Sequence, residues 1–291
     1  MKGHTHTAGP LRAKTFGAAL CLLLLCPLQQ AARQSTARVL LGVALGPEVS
    51  AWLNEVEGRL GEKVYAEFAE LDSAEAEDDY TFGVSYLTGK GVAVLRVDES
   101  FRADARRAEA VIGHELLHLR LRVRGYPQFL FSPSVQTMKG PAEDVEQSNV
   151  NDLVSLIEHR IFADEMRRTG FERLIDLTNW LDTARRRGRS EDGQAETLNY
   201  ARALLEWRDA KLLAELTRVY QANGWARSLD GGRRLADLIG ASDIRTSAGV
   251  APVFLRCMAV LYGAHFRLAP DRRFALSKIY PQLLIHSPRR R

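Results

Sequence analysis

The stretch Ala110–Leu121 reads AVIGHELLHLRL, and within it residues 114–118 spell His-Glu-Leu-Leu-His. Apolar residues Val111, Ile112, Leu119 and Leu121 flank this polar set. The longer run from Ala103 to Arg124 predicts one amphipathic helix that stops at Gly125, with Pro127 just beyond. On a helix, residues i and i+4 stand one above the other, so His114 and His118 can turn ring nitrogens towards one ion. A buried His-Glu-His set is costly without a partner, and a cation supplies one. Neutral imidazole is a good ligand for Zn2+, and a catalytic zinc keeps a position open for water. Glu115 lies near the same face and is placed to take a proton from water without ligating the ion. The expectation is one Zn2+ per chain, with His114 and His118 as metal ligands and Glu115 as general base.

Upstream of this helix, Val49, Trp52, Leu53, Val56 and Leu60 recur at helical spacing. Lys63–Leu71 then alternates as a half-buried strand does, and the acidic stretch Asp72–Asp79 reads as a solvated connection. Tyr80, Phe82, Val84 and Tyr86 alternate again, Thr88-Gly89-Lys90-Gly91 signals a turn, and Val92–Val97 gives a second strand, together an antiparallel hairpin. Downstream, a loop is expected over Tyr126–Gln147, followed by a helix bearing Leu153, Val154, Leu156, Ile157, Ile161 and Phe162 that closes at Gly170. Further helices are expected at about 172–186, 194–222, 231–240 and 250–268, with Arg185-Arg186-Arg187 in a solvated loop between two of them. Strands and a helix first, then helices only, make an α+β fold with a helical C-terminal lobe.

The segment AVIGHELLHLRL resembles the active-site helix of the zincin metallopeptidases. The order of helix, strands, hairpin, motif helix and second helix is similar to theirs over roughly residues 48–170. This likeness implies a zinc peptidase fold with a substrate cleft beneath the edge strand of a small sheet, and a peptide or protein as substrate. The metzincin subgroup is not matched, because Leu121 and Arg124 stand where its pattern needs glycine and histidine. In the gluzincin-like subgroup the third ligand is a glutamate on a later helix, which implies Glu158, 40 residues after His118 in NDLVSLIEHRIFADEM. Asn151 and Ser155 fall near its face. His159 is the immediate alternative, and about 100° of helical rotation separates it from Glu158, so the two are not expected to bind together. Glu165, two turns further on, is the third candidate. Tyr262 and His265, in VLYGAHF, are candidates for stabilising an oxyanion, set against the plainer reading of an aromatic core helix.

Composition limits the other readings. Hydrophobic residues at 46% and charged residues at 26% are ordinary globular proportions, so global disorder is excluded. Lys2, Arg12 and Lys14 precede the 13-residue apolar run FGAALCLLLLCPL, Phe16–Leu28, which is short for a membrane span and fits the core of a secretory signal. Residues 1–34 are therefore expected to be a signal peptide or N-terminal anchor, ahead of a 35–291 domain made of a sheet and motif helix (35–125) and a helical lobe (126–291). Export to the periplasm or outside the cell follows, with membrane contact only if the leader is uncleaved. That leader carries four of the 40 basic residues and no acidic ones, which leaves 36 basic against 36 acidic in the remainder. The pI near 9.0 thus belongs to the leader, and nucleic acid is not an expected partner. Only Cys257 lies beyond the leader, so no disulfide can form within the remainder. Two alternatives to a peptidase remain: a zinc hydrolase of a non-peptide substrate, and a zinc-stabilised binding or regulatory module in which Glu115 is idle.

Overall fold

The described residues start with a hairpin of two-residue strands, β1 (Val39–Leu40) and β2 (Val43–Ala44), and continue into helix α1 (Pro47–Leu60). The computed structural model describes residues 38–71, 82–132, 141–174, 179–188, 193–271 and 279–286. The expected leader and the acidic connection Asp72–Asp79 lie outside them. After α1 come β3 (Tyr65–Ala69), β4 (Gly83–Leu87), β5 (Ala93–Asp98) and α2 (Ala105–Val123). Then follow β6 (Gln128–Phe131), the long α3 (Pro141–Thr169), α4 (Asn179–Arg187), α5 (Gln194–Glu206) and α6 (Ala210–Asn223). Helices α7 (Ala226–Gly240) and α8 (Ser247–Tyr262) and strands β7 (Arg267–Pro270) and β8 (Gln282–His286) complete the described order. The protein is α+β: small mixed sheets with helices, then a mainly helical C-terminal region. No described helix is long and apolar enough to cross a membrane.

The first sheet runs β3-β5-β4, with β3 parallel and β4 antiparallel to the central β5. The β4–β5 pair is the expected hairpin, and it leaves β4 as an edge strand beside α2. One face of α1, carrying Val49, Trp52, Leu53 and Val56, is buried together with α2 in the main core. Asp104 caps α2 by accepting from the Arg107 amide at 3.1 Å. Gly113 lies where α2 meets Trp52 and Phe171. A Cβ there would stand 2.6 Å from Phe171 Cε2 and 3.3 Å from Trp52 Cζ3, so the residue before His114 has no room for a side chain. A smaller second core joins Leu181 and Ala184 of α4, Tyr200 and Ala203 of α5, Leu216 and Tyr220 of α6, and Leu229 of α7. Helix α5 serves both cores, because Leu198 and Ala201 face the main one.

Several elements differ from the sequence reading. The expected loop over Tyr126–Gln147 contains β6 and the start of α3. Strand β6 pairs parallel with β8, which also holds β7, so a second sheet ordered β6-β8-β7 closes the fold. The single helix expected over 194–222 breaks at Trp207–Asp209, where the Asp209 carboxylate accepts from the amides of Lys211 and Leu212 and starts α6. Helix α7 starts before Gly231-Gly232, which read as a boundary. Added Cβ atoms there would meet Thr197 Cγ2 at 2.9 Å and Thr197 O at 3.0 Å, so the glycines let α7 lie directly against α5. The Arg185–Arg187 run is the last turn of α4 and no loop. Arg185 pairs with Asp182 and Glu215, and Arg187 reaches the buried Glu196 at 2.5 Å.

Candidate metal centre

Helices α2 and α3 face each other with imidazoles between them. The Nε2 atoms of His114 and His118, one turn apart on α2, are 3.2 Å apart. Two nitrogens at about 2.0–2.1 Å from one tetrahedral zinc stand about 3.3–3.4 Å apart, so this pair needs little adjustment to share an ion. His159 of α3 brings the third ring, with its centroid 4.7 Å from that of His114 and 5.2 Å from that of His118. One ligand atom from each of the three lies within 4.8 Å of the other two, and together they could hold one metal ion. Side-chain exposures of 18%, 16% and 15% for His114, His118 and His159 leave each of them partly accessible.

Glu158, which the zincin likeness implies as third ligand, stands behind His118. Its Oε2 accepts from His118 Nδ1 at 2.7 Å, and its Oε1 pairs with Arg122 at 2.5 Å. The residue that joins His114 and His118 is His159, the alternative to it. Glu165 is outside the group as well, and its charge acts on Arg120 and Arg124. Tyr262, the last residue of α8, packs edge-on against Phe266.

Each histidine is held differently. His118 donates Nδ1–H to Glu158, which turns its Nε2 inward. His159 Nδ1 lies 2.8 Å from Glu206 Oε1 at the end of α5, and its Nε2 is 3.1 Å from the Ser155 hydroxyl. His114 Nδ1 is buried with no hydrogen-bond partner among the described residues. Phe162 closes the apolar side, its ring 5.7, 5.0 and 5.4 Å from those of His114, His118 and His159. Helix α3 is kinked at that residue (φ −103°, ψ 15°), three positions after His159.

Burial pushes the His114 and His159 imidazoles well below their ordinary range, helped at both by His118 and Arg202 and at His114 also by His159. Both are therefore neutral, which is the form that ligates. Burial raises the Glu158 carboxyl, but Arg122 and His118 outweigh it and hold the group below the usual carboxylate range. Burial raises Glu206 to about 7, with Arg202 and His118 opposing. A dication among the histidines would favour the ionised form of that carboxylate.

Glu115 is buried beside the group, its Oε1 3.9 Å from His114 Nε2, and desolvation raises its pKa. The Ser85 hydroxyl on β4 donates to the Glu115 carbonyl at 3.1 Å, which fastens the edge strand to the motif helix. Glu206 and Arg122 were not singled out in the sequence, and Phe162 was read only as part of an apolar helix face. Arg122 alone carried a local signal, since it follows His118 by four positions and shares its face. Comparisons with protein-family models, curated proteins and solved structures find no match.

Proposed function

We propose that the protein is a zinc-dependent hydrolase of zincin type, acting on peptide bonds, with His114, His118 and His159 as ligands and Glu115 as general base. The observation that carries the reading is the division of labour on α2 and α3. Three imidazoles converge, while the carboxylate between the two motif histidines stays out of the ligand group. Three protein ligands leave a fourth position for water, the pattern of catalytic rather than structural zinc. Zinc bound there would supply Lewis-acid polarisation of water and of the scissile carbonyl. Glu115 would accept the proton of the attacking water at its carboxylate and return it to the leaving amine. Its burial favours the proton-bound form and so strengthens it as a base. An extended peptide fits the edge of β4, whose Ser85 touches Glu115 and whose Val84 and Tyr86 are exposed.

The test is digestion of a peptide library by wild-type protein and by Glu115→Gln, with zinc content measured on both. The account expects equal zinc and a turnover lower by about 10²-fold or more in the variant. Cleavage at the wild-type rate by Glu115→Gln would end the general-base assignment. Zinc binding without cleavage of any peptide would favour a non-peptide substrate or a zinc-stabilised binding module. Export is proposed on the leader alone, and residues 1–36 fused to a reporter active only outside the cytoplasm test it, with no activity counting against it.

A further inference from the structure

We infer that Glu206 is a positioning residue of this centre, holding Nδ1–H of His159 so that Nε2 is committed to the ion. This rests on the three-histidine reading above. A neutral imidazole has one N–H and one lone pair, and the partner of one nitrogen decides which is which. A carboxylate oxygen 2.8 Å from Nδ1 fixes the proton there. Nε2 then carries the lone pair, to which the Ser155 hydroxyl at 3.1 Å donates in the metal-free protein, and that hydroxyl must turn aside for an ion to take its place.

The same arrangement recurs at His118. Its Nδ1 is held at 2.7 Å by Glu158, which is itself paired with Arg122 at 2.5 Å. Behind His159, Glu206 has Arg202 at 3.8 Å, one turn earlier on α5. Two of the three ligands are thus backed by a carboxylate and then an arginine, whereas His114 Nδ1 has no such support among the described residues. Glu158 shares a helix with His159. Glu206 belongs to neither ligand helix, and α5 is wedged between the two cores through Leu198 and Ala201 on one side and Tyr200 and Ala203 on the other. The third imidazole is therefore aimed by the helical C-terminal region, and that region is required for the metal site as well as for the fold. The plainer reading is that Arg202 and Glu206 form an ordinary i, i+4 helix pair with no bearing on the metal.

Zinc affinity, measured by competition with a chromophoric chelator, separates the two, with the visible spectrum of the Co2+-loaded protein as a second readout. Glu206→Ala should bind zinc about 10- to 100-fold more weakly than wild type and shift the Co2+ bands. Glu206→Gln keeps the shape and one acceptor oxygen, so it should fall between the two. Melting of the metal-free proteins is the control, because a purely structural helix pair would lower Tm without changing affinity. Wild-type zinc affinity and unchanged Co2+ bands in Glu206→Gln and Glu206→Ala overturn the inference. If Glu206→Ala does not fold, Glu206→Gln decides alone. Failure of the wild-type protein to bind zinc at all would instead overturn the three-histidine reading itself.

Discussion

Glu158 and His159 are sequence neighbours that take different roles in the proposed centre, and replacing each alone tests that difference. Glu158→Gln keeps the shape, and its carbonyl oxygen can still accept one bond. Its NH2 group must then face the second donor, either His118 Nδ1 or Arg122. Glu158 is 4% exposed, and its carboxylate oxygens lie 2.7 and 2.5 Å from those donors, so Arg122 loses its buried counter-charge. Breaking such a pair costs about 3–5 kcal/mol of stability. Loss of the charge behind His118 should also weaken zinc binding by about 10- to 100-fold. The three ligand nitrogens remain, so Glu158→Gln should still fill to one zinc per chain when zinc is in excess. His159→Ala removes a ligand and should bind no stoichiometric zinc at micromolar protein. Urea unfolding of the metal-free variants gives the stability arm, and zinc titration with Co2+ spectra gives the ligand arm. The reasoning is refuted if Glu158→Gln loses a coordinated group in the Co2+ spectrum while His159→Ala keeps all of them.

Two further outcomes follow from burial and packing. The His114 and His159 imidazoles stay neutral well below the ordinary value near 6.5, so at these two ligands protons compete with the metal only at lower pH. Zinc content should hold steady as pH falls from 7.5 through about 6.5 and drop only in more acid solution, and equilibrium dialysis that shows release at 6.5 would contradict this. Gly113→Ala should lower Tm, because the 2.6 Å approach to Phe171 forces overpacking of about 1–3 kcal/mol against a helix-propensity gain of about 1 kcal/mol. A Gly113→Ala protein as stable as wild type would show that Phe171 and Trp52 move aside freely.

The elements around the motif were legible because their signals are local. Helix α2 shows its apolar spacing and its stop at Gly125, although the Asp104 cap starts it two residues later than the expected Ala103, and the β4–β5 hairpin shows alternation around a glycine turn. The second sheet was not legible. Strand β6 has four residues, and it pairs with β8 at a register joining Gln128 to Gln282, so nothing nearby in sequence marks it. The α5–α6 break hid inside continuous apolar spacing, and only the Asp209 cap betrayed it. His114, Glu115 and His118 come from one helix, where spacing decides the geometry. The third member depends on how α3 is rotated about its axis, and one residue of rotation exchanges Glu158 for His159. A buried carboxylate needs a partner, and Glu158 has two in Arg122 and His118 Nδ1. Glu206, on a separate helix 47 residues after His159, left no local trace.

The central claim is that three histidines hold one zinc, and metal analysis of the purified protein after exposure to zinc and removal of the excess tests it most directly. The account predicts one zinc per chain in the wild type and close to none in His114→Ala, His118→Ala and His159→Ala. A wild-type protein without zinc, or full occupancy in all three variants, would contradict it.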